Sequence, residues 1–92
     1  MGASMVEDAS IPLTDFAEHI PAMKGFHQRY MCSNKVIRLW VNMVRSMDVE
    51  MIVPQHGTPF VGKEQVNQFL DWIETLECGV DLMDEHVFSC PE

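Results

Sequence analysis

Asp48-Val49-Glu50-Met51-Ile52-Val53-Pro54-Gln55-His56-Gly57-Thr58-Pro59 is the stretch on which the fold turns. Val49 to Val53 is short, apolar and rich in β-branched residues, and Pro54 has no N–H to give a ladder, so one short buried strand is predicted to end there. A loop follows from Gln55 to Gly62. His56 lies just past the strand end, where an imidazole can be held on a rigid edge while Gly57 lets the backbone turn closely. Neutral imidazole is a common ligand for iron or zinc. On spacing alone, a loop histidine is more often a surface or hydrogen-bonded residue, and no second ligand stands close in sequence.

Working outward, Val66, Phe69, Leu70, Ile73 and Leu76 recur at helical spacing after the loop, with Gly79 placed as the residue just past a helix end. Before the strand, Ser33 is a good N-cap for a helix from Asn34 to about Met47. Val36, Trp40, Met43, Val44 and Met47 repeat at three- and four-residue intervals, and Ile37 and Val41 widen that stripe. Met43, Met47 and Met51 read as core filler in preference to an adaptable partner surface. Further back, Asp15 with Glu18 resembles a capping box, and Pro21 suits the first turn of a second piece, so Thr14 to Tyr30 is predicted as a helix broken near Ile20. Met1 to Pro12 has little periodicity, and residues 84–92 are expected to be a loosely ordered tail.

The expected fold is therefore mainly α with one short strand, in a single partial domain over residues 1–92. A lone strand leaves backbone groups without partners. Either another copy of the chain supplies the neighbouring strand, or it belongs to a larger sheet whose other strands precede residue 1.

Composition narrows the function. The chain has 92 residues, 47% of them hydrophobic and 22% charged, which suits a small folded unit of modest stability. Fourteen acidic residues against six basic ones give a net charge of -8, which opposes phosphate backbones, so no nucleic-acid partner is expected. No apolar run approaches the roughly 20 residues that span a bilayer, and no signal-peptide pattern opens the chain; a cytoplasmic protein without membrane partners is expected. Three cysteines, Cys32, Cys78 and Cys90, make no C-x-x-C pair and read as incidental or buried thiols. His19, His27 and His86 form no zinc-hydrolase pair, and there is no Gly-rich phosphate loop or nucleophile elbow.

Arg29-Tyr30-Met31-Cys32-Ser33-Asn34-Lys35, the helix through Trp40, and Asp48 to Gly57 together resemble the second half of the metallo-β-lactamase domain of flavodiiron and oxygen-binding diiron proteins. In that family a helix leads into a strand reading roughly D-M-I-x-P-x-H-G, whose histidine is the last ligand of a two-iron site; His56 stands at its position. Gly2-Ala3-Ser4 resembles the stretch just after the metal-bridging aspartate. The resemblance covers Phe26 to Pro59 most clearly and continues more weakly from Gly62 to Met83. It implies a C-terminal fragment of an αββα metallo-β-lactamase fold, with iron as cofactor and dioxygen as the parent's partner. The H-x-[HE]-x-D-H cluster is absent, so a single ligand, His56, would come from this chain. The family's flavodoxin domain is absent too, which resembles the oxygen-binding group that senses or binds dioxygen more than the oxygen-reducing oxidoreductases. Tyr30 would lie near the metal pocket or anchor a helix end.

Two other classes stay open. An independently folding helical module would form a homo-oligomer through exposed apolar helix faces. A metallo-hydrolase fragment would share the fold and also end a strand with a ligand histidine.

Overall fold

The computed structural model describes residues 1–4 and 13–84. Three helices, α1 (Phe16–Tyr30), α2 (Asn34–Arg45) and α3 (Lys63–Ile73), surround a minimal hairpin of β1 (Met51–Ile52) and β2 (Phe60–Val61), and a 3₁₀ turn follows at Gly79–Leu82. β1 and β2 pair antiparallel, with Met51 opposite Val61 and Ile52 opposite Phe60. The Gly62 N–H extends the ladder by donating to the Glu50 carbonyl at 2.8 Å.

This hairpin corrects the expectation of a single strand. The stretch from Gln55 to Gly62 is a loop only as far as Pro59, and Phe60–Val61 folds back onto Met51–Ile52. β1 thus has a partner within the chain along one edge. The strand is also less buried than predicted, because Met51 and Val53 face outward.

Local chemistry sets the helix starts. Ser33 caps α2, its hydroxyl accepting from the Val36 N–H at 3.3 Å, and Asp15 caps α1 by accepting from Glu18 N–H, also at 3.3 Å. The predicted break near Ile20 does not occur, since α1 runs unbroken with Pro21 inside it. Proline there removes the hydrogen bond to the Ala17 carbonyl, but Ala17 and Pro21 are both exposed, so water can satisfy that group. α3 ends at Ile73, and Gly79 opens the 3₁₀ turn instead of closing α3. That turn docks on the chain before α2: the Val80 N–H donates to Cys32 O at 2.9 Å, and the Asn34 N–H donates to the Asp81 carboxylate. Residues 79–82 are therefore ordered structure, while the predicted tail, 84–92, lies outside the described residues from 85 onward, as does His86.

α3 is the central element, packing against α1, α2 and both strands. Its buried row of Val66, Phe69, Leu70 and Ile73 is the one predicted, and Leu76 beyond the helix end is buried with it. Phe69 stacks on Phe60 with ring centroids 4.9 Å apart, and Phe16, His27, Trp40 and Trp72 surround that pair edge-on or tilted. α2 contributes Ile37, Val41 and Val44. Val36, Met43 and Met47, expected in the core, are exposed, and so is Met51. α2 is apolar around much of its circumference, and only the side that meets α3 is covered here.

Candidate functional site

His56 sits in the loop that joins β1 to β2, and its ring is exposed. Its imidazole makes no hydrogen bond to any of the described residues. The backbone beneath it is, by contrast, held firmly. Residues 1–4 run alongside the loop, and the Ser4 N–H donates to the His56 carbonyl at 3.0 Å. The Ser4 hydroxyl accepts from the Thr58 N–H at 3.3 Å. Ser4 and Thr58 are buried. Farther along, the Leu13 N–H donates to the Pro59 carbonyl at 3.0 Å.

Gly57 lies between these bonds with φ +114°, and a Cβ added there would lie 2.6 Å from the Ser4 backbone nitrogen. Glycine is required twice over, by its dihedral and by the closeness of Ser4. The sequence reading of Gly57 as a close turn is thus matched by geometry, and the object it approaches is the N-terminal segment.

That segment is anchored at its other end by His27, a fully buried residue of α1. The ring Nδ1 lies 2.9 Å from the Met23 carbonyl, which can only accept, so Nδ1 carries the proton. Nε2 is then the acceptor for the Gly2 N–H at 3.0 Å. Burial pushes the His27 pKa below its ordinary value, opposed by the bond to Met23, and the neutral form is the one the bonding requires. His19 is also buried, its ring edge-on to Phe60, and desolvation lowers its pKa too. Both are core histidines.

The other described candidates form no metal cluster. Burial raises the Cys78 pKa, which favours the unreactive thiol, and Cys32 is exposed. Tyr30 is exposed and packs on Phe26 at the end of α1, ring centroids 4.7 Å apart, as a helix-end anchor would. A cleft of about 210 Å³ between the end of α2 and the start of α3 holds Arg45 and Lys63, but Arg45 pairs with Asp71 and Glu74 and Lys63 pairs with Asp48. Among the described residues no three His, Cys, Asp or Glu side chains cluster as a metal site. No described helix is long and apolar enough to cross a membrane.

Sequence reasoning singled out His56 but missed Ser4 and His27 as its backbone supports. Neither carries a local signal, because each acts through a contact distant in sequence.

Comparison with known proteins gives a consistent result. No curated protein matches the chain. A solved structure described as the peroxy diiron species of the chemotaxis sensor ODP is 46% identical, with a TM-score of 0.81 over 87% of this chain and 34% of its own. The apo state of the chemotaxis sensor ODP from T. denticola is also 46% identical, with a TM-score of 0.74 over 83% of this chain and 31% of its own. The chain thus spans about a third of the length of these structures and corresponds to a mainly helical portion with a two-stranded sheet. The family described as ODP family beta lactamase matches residues 1–57. This chain belongs to that ODP family.

Proposed function

We propose that this chain is the C-terminal part of a dioxygen-binding diiron protein of metallo-β-lactamase fold, related to the flavodiiron proteins, and that His56 is its contribution to the metal site. The observation that carries the reading is the contact between Ser4 and the His56 loop. Gly2-Ala3-Ser4 resembles the stretch after the family's bridging aspartate, and this stretch is bonded through Ser4 to the loop that carries His56. The donor chemistry fits: one exposed imidazole without a hydrogen bond to a described residue, on a fixed loop, suits a single histidine in a larger ligand set. The remaining ligands would come from outside these residues.

When bound, a pair of ferrous ions would supply electrons and open coordination positions for dioxygen. The chain's own part is mechanical: the β1–β2 loop presents His56, Ser4 fixes the backbone on both sides of Gly57, and the Phe60–Phe69 core keeps the hairpin seated. The relatives' description as a chemotaxis sensor supports sensing in preference to reduction.

The test is a graft in which this chain replaces the matching third of the T. denticola sensor. Elemental analysis should find iron in the graft and its loss, by half or more, in the His56→Ala form. Full iron retention in that variant refutes the assignment.

One observation favours a second role. Val36, Leu39, Met43 and Met47 leave an apolar row exposed along α2, which suits self-association. A strictly monomeric chain by light scattering at high concentration excludes it. The hydrolase alternative draws no support from the two solved structures above, both described as the chemotaxis sensor ODP.

A further inference from the structure

We infer that Ser4 is a positioning residue for His56: it grips the loop backbone on both sides of Gly57 and so fixes the histidine that the proposed function, on which this inference rests, makes an iron ligand.

Ser4 uses two different groups on two loop residues. Its backbone N–H holds the carbonyl of His56, and its hydroxyl oxygen holds the N–H of Thr58. Gly57, between them, makes the approach possible, because any side chain there would meet Ser4. With its own carbonyl and the Thr58 amide tied down, His56 keeps freedom mainly in its side-chain torsions. The grip is itself anchored: Gly2 donates to His27 Nε2, and the His27 ring is fixed to Met23 in α1. The same segment lies against the hairpin, a Cβ at Gly2 falling 3.0 Å from the Phe60 ring. The loop is therefore referenced to the helical core through Ser4, in addition to its own two-residue ladder. Such outer-layer supports are what hold a metal ligand within the few tenths of an ångström that coordination demands.

Ser4→Ala keeps the backbone bond and removes only the hydroxyl; Ser4→Thr restores a hydroxyl at the same place. In the 92-residue chain, NMR relaxation should show the His56 and Gly57 amides moving from the rigid toward the flexible range in Ser4→Ala, with Thr58 losing exchange protection and the core amides unchanged. Ser4→Thr should restore both signals. In the grafted sensor, Ser4→Ala should weaken iron retention about tenfold, the scale typical of lost outer-layer contacts. Loop amides in Ser4→Ala that match wild type overturn the inference, and so does loosening spread evenly over the core. If Ser4→Ala frees the loop but His56→Ala retains all the iron, the metal reading fails and the inference loses its ligand. If His56→Ala loses iron while Ser4→Ala changes neither loop nor iron, the metal reading stands and the inference fails.

Discussion

Replacing Gly57 by alanine separates two reasons for a glycine, because two other glycines in the chain serve as internal references. Gly25 lies exposed inside α1 with nothing within 4 Å of an added Cβ, so Gly25→Ala should stabilise by about 0.5–1 kcal/mol through helix propensity. Gly62 also has open space, but its φ of +93° and ψ of 151° fall in a region reserved almost wholly for glycine. Gly62→Ala should therefore cost about 1–3 kcal/mol from backbone strain alone. Gly57 has φ +114° and also lacks space, its added Cβ lying 2.6 Å from the Ser4 nitrogen. Backbone cannot swing aside as a side-chain tip can. Gly57→Ala should break at least the Ser4 to His56 bond, adding about 1 kcal/mol to the strain, for a total of about 2–4 kcal/mol. At about 4–8 °C per kcal/mol for a domain of this size, the thermal midpoint should fall by about 8–30 °C. Calorimetry on the four proteins should give the order Gly25→Ala, wild type, Gly62→Ala, Gly57→Ala. If Gly57→Ala melts with or above Gly62→Ala, the close approach of Ser4 to the loop is wrong, and the positional argument for His56 goes with it.

Three further outcomes are expected. The depressed pKa values of His27 and His19 mean that the unfolded chain binds protons which the folded chain refuses. Their contribution to stability is complete above about pH 6.5 and is lost as pH falls from there through the folded values, so denaturant midpoints should drop in acid, less steeply in His27→Gln. Phe69→Ala empties the face that stacks on Phe60 and should cost about 3–5 kcal/mol, enough to unfold much of so small a domain by circular dichroism at 37 °C. Ser33→Ala removes the α2 cap and should cost about 1 kcal/mol, readable as a midpoint lowered by about 4–8 °C.

What the sequence revealed depended on whether the signal was local. The caps at Asp15 and Ser33 and the buried row of α3 are decided by neighbours three or four residues away, and all were legible. Phe60–Val61 was not, since a two-residue strand is too short to show alternation, and its evidence is the partner across the loop. The α2 face misled for another reason. Ile37, Val41 and Val44 form one apolar row and Val36, Leu39, Met43 and Met47 another, and periodicity alone cannot say which row meets α3. Pro21 signalled a break that an exposed carbonyl made unnecessary.

The histidines show how the fold divides residues that the sequence treats alike. A metal donor needs an unprotonated ring nitrogen that faces open space and is not already spent on another bond. His27 fails on both counts, because Nδ1 gives its proton to Met23 and Nε2 receives one from Gly2. His19 has a nitrogen, Nε2, without a hydrogen-bond partner among the described residues, but that nitrogen is buried in the core beside Phe60, where a charged ion would lose its hydration without compensation. Among the described histidines, His56 alone combines a ring without a hydrogen bond to a described residue, an exposed position, and a loop backbone bonded to Ser4 on both sides of Gly57. Its exposure, which in isolation would suggest an idle surface residue, becomes informative only beside the rigidity of the loop that carries it. Under the proposed metal role, the glycine that admits no Cβ beside His56 and the buried serine bonded to the residues on either side of that glycine are the parts that would hold the ligand in place.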